Sequence, residues 1–530
     1  MDAFRQFESI CAAMSDPAFY PHPVSEIKRR DTHISSVFLT GKWVYKLKKP
    51  VDFGFLDFRD LNDRLRFCEQ EIFLNQRLSQ DVYHCVIQIY SDNKGGFSLK
   101  KGGPIAEYAV KMRQLPDAAN MKELLKKNKI RKFHLKNLGQ TLAAFYEKSI
   151  RNPHIDQFGH QDVIAFNTEE NFQQLEPFVG DILNPKKWEF ICRASRSFLG
   201  SQYPLFQRRM ETGRIRDGHG DLRAEHVYFY RGIQVIDCIE FNDRFRYGDV
   251  AIDLAFLHMD MEQLGYPELS KTFLSNYATT ANDPEIYLLI DFYAAYRAVV
   301  RLKVACLRSR EVENGERKAV VDEAGRYLDL AYRYAVRFSR PVLWIFCGLP
   351  ATGKSCLAER LAEALSIPVI QSDRIRKESL SQPREVIVPF GRGLYHPEAR
   401  DQVYNRMVSR ARDCLKEGRS AVLDATYAHC KWRDEVRTLA AELNIFLIFV
   451  ECACSEETIR LRLSHRQGAG GLSDARLQHL PEMLKQFEPL EEIAPEMHLV
   501  IDTEQPLEDA FIEVLSKGYA SKCAQAIKFF

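Results

Sequence analysis

The chain lacks most features that would assign it quickly to a special class. Its 74 basic and 72 acidic residues leave a net charge of only +2. No strong field of one sign therefore draws it to nucleic acid or to an anionic membrane, although a local basic groove stays open. No run approaches the ~18 apolar residues of a membrane span. The 13 cysteines follow no framework spacing. Their one close pair, Cys452 and Cys454, reads as a strand end rather than a metal site. The first residues lack the basic-then-apolar layout of a secretory signal. Repeats and low-complexity tracts are missing too. The expectation is a cytoplasmic, reduced protein with no membrane association and no evident obligate protein partner.

What remains is ordinary globular material. Hydrophobic residues make up 45% and charged residues 28% of the 530 positions, which implies roughly two to four domains and room for two large cores. The short, proline-ended stretch Arg337–Pro341 divides the chain into expected domains 1–338 and 339–530.

The most specific stretch begins at Val342. An apolar run of strand length stops at Gly348, and Leu349, Pro350, Ala351 and Thr352 lead to Gly353, Lys354 and Ser355. Leu357, Leu361 and Leu365 then fall on one helical face. Strand, glycine-bounded loop and helix are the context in which GxxxxGK[ST] means a phosphate site. Backbone N–H groups of the loop and helix start would face phosphate oxygens. Lys354 would bring a point charge to the β/γ oxygens and Ser355 a ligand for Mg²⁺, which makes ATP and Mg²⁺ the expected cofactors.

Further strands are expected at Ile367–Gln371, Ser420–Asp424, Ile445–Val450 and His498–Asp502, alternating with helices. That is the pattern of a doubly wound α/β domain with five parallel strands. Asp373 and Arg376, three apart, share a helical face beside the phosphate loop; Ser372 or Asp373 could equally cap that helix. Asp424 closes the third strand. Arg462 and Arg466, four apart, follow the fourth. The insert 377–405, with Arg384, Arg392, His396 and Arg400, reads equally as an acceptor loop or a solvated excursion. The stacking stripe of a single-strand binder is missing.

In the first 338 residues, Ser36–Thr40 and Trp43–Leu47 read as a hairpin. Lys46 and Lys48 lie on the same face of its second strand, by default a solvated edge. A helix is expected from about Asp60 to Leu78, carrying Glu69 and Glu71. Strand-like segments follow at Val86–Tyr90, Gly96–Leu99 and Ile105–Met112, then mostly helix. The second informative stretch holds Gly218, His219, Gly220 and Asp221, then His226, and after a hairpin Asp237 and Glu240. One carboxylate there could accept a hydroxyl proton while the other holds a nucleotide's Mg²⁺.

This region resembles the aminoglycoside phosphotransferase and choline kinase-like branch of the protein-kinase fold, an α+β architecture. The resemblance implies that Asp221 is the catalytic-loop aspartate and Asp237 the metal-binding aspartate. Lys46 becomes the strand lysine on the phosphates and Glu71 its ion-pair partner, ahead of Glu69. Residues 107–112 become the hinge strand and Asp249 a structural aspartate. Two departures stand out. Asp31–Ser36 replaces a glycine-rich loop, and His226 occupies the position of an asparagine metal ligand. Hard Mg²⁺ prefers oxygen to imidazole, and Glu240 is a candidate to compensate.

The C-terminal region, about 341–512, resembles P-loop kinases of the polynucleotide 5′-hydroxyl, zeta-toxin and gluconate types. That resemblance implies that Asp373 activates an acceptor hydroxyl and Arg376 grips the acceptor. It makes Asp424 a metal-, water- or acceptor-placing acid, and Arg462 and Arg466 lid arginines on the transferring phosphoryl group. The whole chain resembles a fusion of an aminoglycoside phosphotransferase-like protein with a P-loop ATPase domain. The implied activity is ATP-dependent transfer to a hydroxyl acceptor, either a small molecule (a nucleoside or sugar) or a nucleic acid. The alternative is a regulatory protein whose first domain senses a ligand and whose P-loop domain only hydrolyses ATP.

Overall fold

The computed structural model describes residues 3–54, 56–92, 95–378, 396–465 and 476–530. The chain forms two compact units, one from 1–170 and 206–282, the other from 171–205 and 283–530.

The first unit opens with a six-stranded antiparallel sheet. Its strands are β1 (Lys28–Asp31), β2 (Ser35–Leu39), β3 (Trp43–Lys48), β4 (Tyr83–Ser91), β5 (Phe97–Ser98) and β6 (Ile105–Arg113), in the order β1-β2-β3-β6-β4-β5. β3 therefore lies inside the sheet, between β2 and β6. The solvated-edge reading of Lys46 and Lys48 is corrected by this placement: Lys48 is 1% exposed. One face of β3 carries the fully buried Tyr45 and Leu47, packed with Phe7, Ile10 and Phe38. Between β3 and β4 runs the helix Leu61–Asn75, started by the Asp60 carboxylate, which accepts from the N–H groups of Asn62 and Asp63.

The rest of this unit is largely helical and carries two small antiparallel pairs. β7 (Ile215–Asp217) pairs with β10 (Tyr247–Asp249), and β8 (Val227–Phe229) with β9 (Ile233–Val235). A five-strand-plus-edge antiparallel sheet, its helix after the third strand, and a helical portion with a short hairpin make this unit protein-kinase-like. Asp249 starts the helix Val250–Gln263 and is held by the buried Arg209 at 2.8 and 2.7 Å, the structural role expected of it.

The second unit is α/β. β11 (Val342–Cys347), β12 (Val369–Gln371), β13 (Ala421–Asp424), β14 (Phe446–Ala453) and β15 (His498–Asp502) form one sheet in the order β12-β13-β11-β14-β15. Every pairing in it is parallel. β11 and β13 are buried along their whole length, as a sheet covered on both faces requires. The order reverses beside β11, so its C-terminal end lies at a topological switch point, where open α/β sheets bind ligands.

The expected boundary at 338 does not coincide with the edge of either compact unit. Helices Pro185–Ser201, Ile286–Arg308 and Asn314–Ser339 group with the parallel sheet. A buried polar cluster ties the second and third of these to the last helix: Arg337 Nε lies 3.1 Å from Asp291, Tyr519 donates to Asp291 at 3.1 Å, and Arg337 reaches the Cys523 sulfur at 3.2 Å; the first packs on them through Phe198 against Phe292 and Phe338. No helix among the described residues is long and apolar enough to cross a membrane.

Candidate functional site

Two clusters hold the candidate residues, one in each unit. In the second unit the loop 348–353 turns sharply from β11 into the helix Lys354–Leu365. Gly348 has φ +123°, and a Cβ there would stand 2.6 Å from the Cys452 carbonyl oxygen. Only glycine allows that approach. Gly353 adopts φ +88° and Ala351 φ +66°, so the loop's peptide groups are turned out of the extended strand. Thr503, just beyond β15, donates to the Thr352 carbonyl at 2.5 Å and braces the loop from outside.

Lys354 is 8% exposed, and its Nζ donates to the Leu349 carbonyl at 2.6 Å. Among the described residues it forms no ion pair with a carboxylate. Burial pushes its pKa below the usual lysine value, with Asp424 pulling the other way. A buried ammonium beside a loop of turned peptides, with no ion pair among the described residues, is an arrangement that can receive an anion.

Asp424 ends β13 in register with Phe346 and Gln371 and accepts from Gln371 at 3.3 Å. Burial raises its pKa, against Lys354 and a hydrogen bond from Ser355. The Ser355 hydroxyl and the Asp424 carboxylate are hard oxygen donors, so this donor set fits Mg²⁺. Asp373 and Arg376 form an ion pair on the short helix Ser372–Glu378. Tyr404 orders the neighbouring turn, bonding Thr426 and the Tyr427 N–H, each at 3.2 Å. Arg462 donates to Ala351 O at 3.3 Å and Thr503 O at 2.7 Å, which fastens its helix to the phosphate loop. Arg466, with Arg384 and Arg392, lies outside the described residues.

In the first unit Lys46 Nζ meets Glu71 Oε1 at 2.8 Å and Asp237 Oδ1 at 2.7 Å. Glu69 is on the exposed face of the same helix. Burial works against the Lys46 charge, yet Asp237 and Glu71 hold its pKa well above the usual lysine value. Burial likewise opposes the Glu71 carboxylate, and Lys46 and Lys48 outweigh it, so its pKa is lowered. Asp237 sits at φ +65°, a left-handed position that aspartate tolerates better than most residues. Its pKa is held far down: burial raises it, and Lys46 and His226 lower it further.

Three features of this unit escaped the sequence reading. Lys48 Nζ bonds Glu71 Oε2 at 2.8 Å and also pairs with Glu240, which burial pushes upward. Glu240 is thus corrected from a compensating metal ligand to a partner of Lys48. Arg223 grips both oxygens of Asp221, at 2.9 and 3.0 Å, and also pairs with Glu225. Asp253 accepts from the N–H groups of His219 and Gly220 at 2.6 and 2.8 Å, fixing the loop that presents Asp221. Two lysines at i, i+2 within an apolar strand were the one available signal for the first of these. Asp221, His226 and Asp237 each offer a ligand atom within 4.8 Å of the others. Two carboxylates fit a divalent ion, but the third donor is an imidazole, which does not fit the all-oxygen preference of Mg²⁺.

Residues 343–490 match a family model described as an AAA domain. The chain is also 33% identical over 464 residues to the uncharacterized proteins Rv2004c of Mycobacterium tuberculosis and Mb2027c of Mycobacterium bovis, covering 86% of this chain and 89% of each of those. The chain belongs to the family of these mycobacterial proteins. Among solved structures, a gluconokinase from Sinorhizobium meliloti 1021 is 22% identical, covering 36% of this chain and 97% of its own, with a TM-score of 0.27. A choline/ethanolamine kinase family protein from Mesorhizobium loti is 13% identical, covering 61% and 99%, with a TM-score of 0.37.

Proposed function

We propose that the chain is an ATP-dependent phosphotransferase with two kinase-like sites. The division of chemistry follows 1–338 and 339–530, and the C-terminal site phosphorylates a hydroxyl of a nucleoside, sugar or polynucleotide. The observation that carries this reading is Lys354, a buried ammonium that forms no ion pair among the described residues, at the switch point of a parallel sheet. Bound ATP with Mg²⁺ would supply the γ-phosphoryl group and the metal's charge neutralisation.

The chain's own residues supply the rest. The loop 348–353 and the helix start at Lys354 bind phosphate oxygens through N–H groups, and the Lys354 ammonium leaves the Leu349 carbonyl to meet them. Ser355 and Asp424 are the oxygen donors for the metal. Asp373 accepts the acceptor hydroxyl's proton and Arg376 orients the acceptor, the two exchanging their mutual ion pair for these contacts. Arg462, already fastened to the loop, steadies charge on the phosphoryl oxygens. At the N-terminal site Lys46, held by Glu71, would orient nucleotide phosphates, and Asp221 would receive the proton of a second acceptor.

One observation favours a second reading for the N-terminal site. Both Asp221 oxygens are engaged by Arg223, which suits a site that binds a nucleotide without turnover. Screening of oligonucleotides, aminoglycosides, sugars and nucleosides with γ-labelled ATP separates the readings. Loss of labelling in Asp373→Ala but not in Asp221→Ala assigns transfer to the C-terminal site alone and leaves the N-terminal site a sensor. Labelling that survives Asp373→Ala and Lys354→Ala together would overturn the C-terminal assignment.

A further inference from the structure

No single stretch of the sequence carries the stacking stripe of a single-strand binder, yet the six-stranded sheet gathers rings and cations from three stretches onto one face. We propose that Trp43, His84, Lys111 and Arg113, with Lys42 at the rim, form a binding surface for single-stranded nucleic acid, cations on phosphates and rings against bases. The surface stands apart from the phosphotransferase reading and does not depend on it.

The register of the sheet builds the patch. In the order β3-β6-β4, the start of β3, the end of β6 and the start of β4 lie side by side. Trp43 is in register with Arg113 and Tyr45 with Lys111, so these four share one face. β4 is irregular between Tyr83 and Cys85. Such a bulge re-aims a side chain, and His84 meets the Trp43 ring edge-on, at 4.7 Å and 83°. Lys111 Nζ stands over the same ring at 4.3 Å from its centre, and Lys42 Nζ at 5.4 Å. Val44, Lys46 and Lys48 alternate to the opposite face of β3, so the patch shares nothing with the Lys46–Glu71–Asp237 cluster.

The charge of the patch is uncompensated. Among the described residues Lys42, Lys111 and Arg113 form no ion pair with a carboxylate, and Arg113 Nε donates to the Asp81 carbonyl at 3.3 Å. The Asp81 carboxylate acts on His84 more weakly than Arg113 and Lys111 do. Burial and these two cations push the His84 pKa below the usual histidine value, which keeps its ring neutral at physiological pH. Lysines that guard a sheet edge against pairing would be a plain alternative, but β3, β6 and β4 are all internal strands. Lys42 and His84 are exposed, and Trp43, Lys111 and Arg113 half-buried, so the rings and charges are held in place and reachable. Unpaired cations around an aromatic ring are what a single strand uses, through its phosphates and its unstacked bases. A duplex keeps its bases stacked within and would meet the cations alone.

The test titrates the full chain into a fluorescein-labelled strand of about 12 nucleotides, without ATP or divalent ion, and reads anisotropy. Affinity should fall with salt at a log–log slope of about −2, the value for three phosphate contacts on a single strand. Lys42→Ala with Lys111→Ala should weaken binding about tenfold or more and flatten that slope. Trp43→Leu should weaken the strand about tenfold while leaving heparin binding unchanged. Equal binding of a duplex, or the same loss for heparin in Trp43→Leu, would make the patch a general polyanion surface and overturn the proposal. Absence of binding overturns it as well, and so does binding that is lost in Arg376→Ala rather than in the lysine variant, which would put the strand in the acceptor site. Photo-crosslinking of an iodouracil-substituted strand to the unaltered chain needs no variant that might misfold. Crosslinks should fall on the peptides carrying Trp43 or His84, and crosslinks found only elsewhere contradict the assignment.

Discussion

Lys354 is a buried ammonium that the fold holds at a cost. Its pKa is depressed by burial, so the unfolded chain holds the proton more tightly than the folded one. Stability is therefore lost as pH falls below the unfolded lysine value, and at neutral pH the buried charge is a net burden. Lys354→Met is expected to abolish ATP binding while leaving the melting temperature of the unliganded protein unchanged or raised by ~2 °C. Calorimetry with and without ATP checks both halves. Cys356 offers an independent probe, since it is exposed one residue beyond Ser355, while Cys452 behind the loop is buried and its thiol is pushed up to about 12. Alkylation should mark Cys356 and Cys85 ahead of the buried thiols. Saturating ATP should slow it at Cys356 and not at Cys85, read by peptide mass spectrometry.

Strands and helices explain what could and could not be read ahead of the structure. β11 with its following helix, and β12, β13 and β15, were legible because each is a short apolar run ended by a glycine, an acid or a helix start. Their periodicity is a local property. The environment of β3 was not legible, because whether a strand is internal depends on β6, which pairs with it from some sixty residues away. Lys48 therefore read as solvent-facing, whereas it ties β3 to Glu71 on one helix and to Glu240 beyond Asp237. Arg223 on Asp221 was hidden for a different reason, since an i, i+2 pair meets only when the loop bends. Removing one partner of the buried group should be costly. Lys48→Met alone is expected to destabilise by about 3–5 kcal/mol, because it leaves carboxylates buried and unpaired. Lys48→Met with Glu240→Gln should recover a good part of that loss, measured as a double-mutant cycle by urea denaturation.

The chain as a whole does not divide where its motifs suggest. The sequence motifs suggest a domain boundary at 338/339, and Asp291 and Arg337 meet Tyr519 and Cys523 inside the second unit. Arg340 lies over Phe529 at 3.8 Å and donates to Asn444 O at 2.6 Å. A fragment 339–530 strips partners from the last helix and should melt without cooperativity or fail to stay soluble. Residues 171–205 joined by a short linker to 283–530 should regain a cooperative transition, and circular dichroism melts decide between them. The packing boundary of the second unit is the one expected to govern folding. The most direct test of the phosphotransferase account is transfer of label from γ-labelled ATP to the acceptor panel by the full chain and by Lys354→Ala. The account predicts a labelled hydroxyl compound with the full chain and at least ~100-fold less with Lys354→Ala. Free phosphate as the sole product, at a rate no acceptor changes, would contradict it.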